Sequence, residues 1–473
     1  MTAAINTTVV SAPGKVLMTG GYLVLDQAYR GLVVGTTARF YTAIQPIQDE
    51  QGTIEVRSPQ FDVDASWSYT ASVEDGKLHF SARPGSSQNK FVETCLKFTL
   101  EVIYQRTGTL FTSNGGLSIT IVGDNDFYSQ RAQLESRKLP NTAESLASLE
   151  PFCSTHATLK TVHKTGLGSS AALTTSLVTA LFVHLSASDL EQDRTLIHNV
   201  AQYVHCFAQG KVGSGFDVSA AVYGNHRYTR FKPDVLSPVM NDQVDPKQLL
   251  KALDPATGSW DNAVVPFQLP PGLELLLADV DAGSHTPTLV SKVLAWRKLN
   301  PTEANQLWDQ LGGMNANVEQ HLRNLTSAAE SDPEAYKQAI VECAALKASE
   351  WHTVANKSSI MQEFAQLAAD FGQIRAYLQK MSESSQVPIE PAEQTRLLDA
   401  CMDVEGVALA GVPGAGGYDA IYCIVLSEKA KESVRKVWSS WTEMSVGPLL
   451  AQADNKGIAK ASVNSVNGLA RFL

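Results

Sequence analysis

The 473-residue chain is 44% hydrophobic and 18% charged, a globular composition too long for one ordinary core, so two domains are expected. Its net charge of −10 excludes a general nucleic-acid or anionic-membrane surface, which needs a positive field. An acidic protein that handles a polyanion has to gather its few cations in one pocket.

Cys95, Cys153, Cys206, Cys343, Cys401 and Cys423 form no CxxC pair, which predicts reduced thiols in a cytoplasmic protein rather than a zinc site or disulfide framework. Met1 to Val10 lacks a basic segment followed by an apolar run, so no secretory signal is expected. In chain order, Val9–Met18, Leu32–Ile44 and Gly116–Val122 read as strands, rich in β-branched and aromatic residues and bounded by Gly, Pro or Asp. Asp124 to Thr158 is polar and aperiodic and reads as a long surface excursion. Leu173, Leu177, Leu181 and Leu185 mark one helix, and Leu196, Val200, Val204 and Ala208 the next. Thr174, Thr175, Ser176, Thr179 and His184 make the first of these a core helix rather than a membrane span.

Asp234 to Pro271, rich in Pro and Asp, is the expected domain boundary, dividing the chain into 1–235 and 236–473. Beyond it come a strand at Leu273–Val280 and helices around Leu289–Trp296, Glu303–Leu325, Glu334–Ala348 and Ile360–Met381. The loop Ser382–Pro391, another helix, and a strand pair at Gly406–Gly411 and Asp419–Leu426 complete this half.

Four segments carry chemistry. In Lys164-Thr165-Gly166-Leu167-Gly168-Ser169-Ser170-Ala171, glycines allow a tight turn whose N–H groups, with those of the helix start, can face one anion. Ser169 and Ser170 are also natural N-cap residues, so a plain capped helix has the same sequence. The run fits G-x-G-x-x-A with Asp189 downstream, the pattern of a dinucleotide turn, but no apolar strand leads into it. Neither Gly14-Lys15 nor Gly210-Lys211 is followed by Ser or Thr, which excludes a Walker A loop. Ser11 to Tyr22 places Lys15 after a Pro-Gly turn, and Gly411-Val412-Pro413-Gly414-Ala415-Gly416-Gly417-Tyr418-Asp419 joins two strands. A hairpin with a surface lysine and a flexible loop are their plain alternatives. In Gln209 to Ala220, Asp217 follows a glycine loop and either serves a site or caps a helix. On the preceding helix, His198 and Gln202 read as a solvated face, whereas His205 and Gln209 lie within two turns of that loop.

Together, Ala12-Pro13-Gly14-Lys15, Gly166 to Ala171 and Pro413 to Gly417 resemble the three ordered motifs of the GHMP kinase superfamily, which includes galactokinase, homoserine kinase, mevalonate kinase and phosphomevalonate kinase. Gly20 to Asp26, Gln209 to Asp217, Ile389-Glu390-Pro391 and Gln394 to Asp399 are similar to the eukaryotic-type phosphomevalonate kinase branch. The resemblance implies an α+β fold. Its N-terminal domain would be ribosomal-protein-S5-like with a left-handed βαβ unit, and its C-terminal domain a ferredoxin-like sandwich. It implies ATP and Mg2+, the acceptor 5-phosphomevalonate, and a step in isoprenoid and sterol precursor synthesis. Lys15 and Asp217 match the catalytic lysine and aspartate. Gly166, Leu167, Gly168, Ser169, Ser170 and Ala171 would wrap the ATP phosphates, with Ser170 on magnesium. Gly414, Gly416 and Gly417 would close on phosphate. Tyr22, Lys90, Lys211, Ser214 and Arg227, with Arg230, are candidates for the acceptor. One departure concerns the glutamate by which mevalonate kinase holds magnesium on the helix before its aspartate. His205 stands at roughly that position here.

Overall fold

The computed structural model describes residues 7–48, 52–61, 65–110, 115–280 and 286–473; the first six residues of the segment examined for a secretory signal lie outside these. The strands fall into two sheets. The larger takes β1 (Thr8–Thr19), β2 (Gly31–Ile47), β3 (Thr53–Arg57), β4 (Ser66–Glu74), β5 (Lys77–Ala82), β6 (Gly116–Gly123), β7 (His226–Thr229) and β8 (Ala263–Pro266). The smaller takes β9 (Glu274–Val280), β10 (Val407–Gly411), β11 (Ala420–Val425) and β12 (Val446–Leu449). β13 (Ala459–Ala461) returns to the larger sheet and pairs with β1.

Alternation sets the two faces of β1 and β2. Val16, Met18, Leu32 and Val34 join the main core, while Leu17 and Val33 meet Val24, Ala220 and Tyr228 on the opposite side. Helices α1 (Lys90–Thr107), α2 (Arg131–Ser136) and α3 (Ala143–Ala147) precede α4 (Ser169–Ser186), and α5 (Arg194–Gln209), α6 (Phe216–Tyr223) and α7 (Pro246–Leu253) follow it. α4 packs on β1 and β2 among α1, α5 and α6. By length and composition it is apolar enough to cross a membrane, but 67% of it is buried inside the protein, the expected state of a helix walled on all sides.

The segment 124–158 departs from the expected surface excursion. Phe127, Tyr128, Leu134, Phe152 and Cys153 are buried, and α2 and α3 give it local order. Arg131 pairs with Asp279 of β9, and Thr142 caps α3, so the segment ties the two sheets together. Its anchoring residues are spaced irregularly, which is why no period revealed them. Asp124 accepts from Arg39 N at 2.8 Å and Asp126 from Leu450 N at 2.8 Å. Burial pushes Asp124 up to about 7 and Asp126 up to about 6. Carboxyls raised on folding stabilise the native state below their unfolded pKa and lose that contribution as pH rises through the folded values. Thermal stability is therefore expected to fall between about pH 4 and 7 (the window these two shifts define), and a melting series for wild type against Asp126→Asn checks it, the variant showing the shallower slope.

In chain order the strands of the smaller sheet lie 4-1-3-2, that is β12-β9-β11-β10, the order of a ferredoxin-like βαββαβ unit. Helices α8 (Thr286–Leu299), α9 (Pro301–Ser331), α10 (Pro333–Ala344), α11 (Ser359–Ser385) and α12 (Ala392–Met402) fill the connection from β9 to β10, and α13 (Glu428–Ser440) links β11 to β12. Leu275, Leu277, Tyr422 and Ile424 face the main core shared with α9 and α11, whereas Leu276, Ile421, Cys423 and Val425 face α12 and α13. Both faces are covered, so these strands read as continuous apolar runs. Sheet membership does not divide at 235: β8 pairs with β7, and the C-terminal stretch holding β13 lies against β1 and β2. All six cysteines are buried and free.

Candidate active site

Pro13-Gly14-Lys15 is not a hairpin. It lies inside β1, where the register to β2 slips between Pro13 and Lys15 and three β2 residues, Thr36 to Ala38, stand against Gly14 alone. β13 stops opposite Ser11, so Lys15 N donates instead to Leu167 O at 2.9 Å. A Cβ on Gly14 would stand 3.0 Å from that same carbonyl, which explains the glycine beside the lysine. The Lys15 ammonium donates to Gly166 O at 2.8 Å and lies 5.5 Å from the Phe216 ring centroid. Burial pushes its pKa down, and Asp217 and Asp419 oppose that. A carboxylate of the larger domain and one just before β11 thus both favour the charged form of Lys15.

Gly166 and Gly168 hold φ of +80° and +78°, and Gly168 is the N-cap of α4. Ser169 and Ser170 are the first helical residues rather than caps, because the chain enters the helix through a left-handed glycine. Their N–H groups begin the helix, and the Ser170 hydroxyl meets His205 Nε2 at 3.1 Å. The dinucleotide reading fails on context: the turn is entered from a loop, and Asp189 instead accepts from Glu191 N and Gln192 N after α4.

Asp217 lies in the first turn of α6, whose N-cap is Gly215. The loop before it is pinned from three sides. Gln202 Nε2 donates to Gly215 O at 2.6 Å, Tyr228 Oη to Ser214 O at 2.8 Å, and Arg230 to the carbonyls of Val212, Gly213 and Leu25. His198 and Gln202 were expected on a solvated face, yet both are fully buried and joined side chain to side chain. A buried amide that holds a glycine loop cannot be told from a surface glutamine by spacing.

The third glycine segment reaches across from the smaller domain. Gly414 N donates to Leu17 O at 3.1 Å, and Tyr22 Oη donates to Ala415 O at 2.7 Å. Tyr22 is buried with φ +63°. Tyr22→Phe is expected to cost about 1 kcal/mol of stability and to loosen the loop around Ala415, readable from melting and amide hydrogen exchange.

Of the remaining cation candidates, two stand on segments that border this group. Lys90 opens α1 next to Phe91, whose ring lies 6.0 Å from that of His205, and Lys211 sits in the pinned loop; both are exposed. Arg227 is not brought there. His226 and Tyr228 face α6, so Arg227 between them points from the other face of the sheet to Glu319, 3.4 Å away. Arg230 spends its donors on backbone carbonyls. Asp419 and Phe216 are the site neighbours that pattern reading passed over, although both lay inside the quoted motifs.

The larger domain, the four-stranded sheet and three glycine segments around one lysine define a GHMP kinase: the profile described as GHMP kinases N terminal domain matches residues 147–225, and that described as GHMP kinases C terminal matches 358–443. The fold is similar to that of Streptococcus pneumoniae phosphomevalonate kinase, solved with phosphomevalonate and AMPPNP (TM-score 0.55, 14% identity, 94% of this chain and 99% of that one). The sequence is 39% identical to the peroxisomal phosphomevalonate kinase of Arabidopsis thaliana, over 96% of each chain, and 39% identical to that of Aspergillus fumigatus, over 88% of this chain and 87% of the relative. The chain belongs to the phosphomevalonate kinase family.

Proposed function

We infer that this enzyme transfers the γ-phosphoryl group of ATP to the phosphate of (R)-5-phosphomevalonate, giving (R)-5-diphosphomevalonate and ADP. The observation that carries this reading is the Lys15 ammonium, bonded to the turn that opens α4 and flanked by carboxylates of both domains. The relatives' shared name supports the acceptor.

A phosphate monoester has its second pKa at about 6, so at neutral pH the acceptor is already a nucleophilic dianion. The barrier is repulsion between two polyanions rather than deprotonation, and positioning with charge stabilisation is what the protein supplies. The N–H groups of Gly166 to Ala171 hold the nucleotide phosphates at the start of α4. Lys15 bridges donor and acceptor phosphates, and Asp217 orients Lys15. Gly414, Gly416 and Gly417 exclude water from the transferring group, with Tyr22 fixing their loop. Lys90 and Lys211 grip the acceptor phosphate, and Ser214 lies on the mevalonyl side.

Among the described residues no cluster of three or more His, Cys, Asp or Glu side chains stands ready for a metal. Mg2+ still fits, because it takes oxygen ligands, retains waters and binds mainly through substrate phosphates with one or two protein oxygens. The Ser170 hydroxyl and Asp217 carboxylate are such oxygens, both near His205 Nε2. When bound, Mg2+ neutralises phosphate charge. A cytoplasmic location belongs to this reading and rests on the six free cysteines.

The test is phosphorus NMR of products after incubation with ATP, Mg2+ and either phosphomevalonate or mevalonate. A diphosphate signal from phosphomevalonate alone is expected; turnover of mevalonate with none of phosphomevalonate would sink the assignment.

A further inference from the structure

Side chains from three helices converge on one ring nitrogen. His205 Nε2, on α5, lies 3.1 Å from Ser170 Oγ on α4 and 3.9 Å from Asp217 Oδ2 on α6, with Gln209 Nε2 of its own helix at 3.1 Å. The ring is only 4% exposed and is walled by Phe91. Filling that space needs nothing more than an apolar ring, whereas the nitrogen joins the phosphate-loop serine to the carboxylate side of the site.

We propose that His205 is a positioning residue that sets the direction of the Ser170 hydroxyl. With the Gln209 amide donating to Nε2, the ring proton belongs on Nδ1 and Nε2 is an acceptor. Ser170 also donates its O–H to that nitrogen, sharing its one lone pair with the Gln209 amide in a three-centre bond, and its own oxygen lone pairs are left facing away from the imidazole. A serine turned this way offers oxygen to a cation and withholds its proton from phosphate oxygens. The opposite ring tautomer would reverse both properties, so the tautomer decides what kind of contact Ser170 makes. The inference rests on the reading that Gly166 to Ala171 receives the nucleotide phosphates, and it assigns His205 a role without contact to any reacting atom.

The experiment is calorimetric ADP binding, once with Mg2+ and once with EDTA, for wild type, Ser170→Ala, His205→Phe, His205→Gln and the Ser170→Ala/His205→Phe pair. In wild type Mg2+ is expected to strengthen ADP binding. Ser170→Ala and His205→Phe each reduce that gain, read as the ratio of the Mg2+ to the EDTA affinity within each variant, about tenfold, equivalent to about 1.4 kcal/mol. His205→Gln, which keeps an acceptor, retains most of the gain, and the pair is no worse than either single change. An intact gain in His205→Phe, or a pair equal to the product of the singles, overturns the positioning role while leaving the nucleotide site standing. Absence of ADP binding in wild type overturns both. Should His205→Phe not fold, His205→Asn, too short to reach Oγ, takes its place with the same expected loss.

Discussion

Lys15→Met is expected to lower kcat by about a thousandfold or more, roughly 4 kcal/mol of transition-state stabilisation, while ADP affinity falls far less. The side chain rises from β1 beside a bulge of β2, so its backbone is fixed by β2 on one side and by Leu167 O on the other. Methionine has nearly the same length and apolar body, and the replacement removes an ammonium that burial already disfavours. The fold should therefore tolerate it, with a melting shift of a few degrees at most, the scale of a change of about 1 kcal/mol in a large chain. On the proposed mechanism what is lost is the charge between two phosphates, a contact made only when both substrates are bound and of growing importance as the γ-phosphoryl moves. Asp217→Asn is the informative contrast. On the proposed mechanism the acceptor arrives as a dianion, no base is required and Asp217 orients Lys15, so a loss of about ten- to a hundredfold is expected, smaller than the removal of a general base typically costs. If Asp217→Asn were as inactive as Lys15→Met with binding intact, Asp217 would be the base and this division of labour would fall. Steady-state kinetics with ADP release, beside calorimetry for ADP, decides it.

The parts of this site legible in the sequence were those in which chain geometry and chemistry share a short segment. Gly166 and Gly168 announce left-handed turns before an apolar helix, and both turns are present with φ near +80°. Lys15 was identified as a residue, but its setting was not, since a proline and glycine inside a strand read as a turn when neither the partner strand nor Leu167 is known. His198 and Gln202 show the opposite failure: a polar stripe on a helix looks solvated until the loop carrying Gly215 is laid over it. The basic residues were the least legible. Arg227, Arg230, Lys90 and Lys211 are equivalent in a sequence, and only strand alternation and the burial of Glu319 separate the ion-paired arginine from the exposed lysines. The fold was clearer than the site because apolar periodicity reports burial directly, as in α4 and the strands of the smaller sheet. Segment 124–158 is the exception, held by scattered anchors.

Glu390→Ala is expected to cost about 3 kcal/mol of stability, the lower part of the range for breaking a buried ion pair, and to reduce kcat at least tenfold. Its carboxylate is buried and accepts from Arg375, Gln379 and Thr395. Arg375 has a second partner in Asp399 at 2.8 Å, which keeps the cost from being larger. The neighbouring Ile389 carbonyl accepts from Gly417 N at 2.8 Å, and Ser382 Oγ accepts from the N–H groups of both Ile389 and Glu390. The glycine loop at 413–417 is therefore backed by a bracket whose orientation the ion pair fixes. Gly416→Ala attacks the same contact from the other side: its φ is +66°, and a Cβ there would stand 2.0 Å from Ile389 O, so the loop has to move. Glu390→Gln keeps hydrogen-bonding capacity without charge and should recover most of the rate. A bracket that merely stabilises the fold predicts all three variants to be fully active at temperatures well below melting. A bracket that positions the loop predicts depressed kcat in Glu390→Ala and Gly416→Ala even there, with faster amide exchange confined to residues 413–419. Rates at low temperature beside hydrogen exchange distinguish the two, because a loop held in place for chemistry loses turnover as soon as it loosens, long before the protein unfolds.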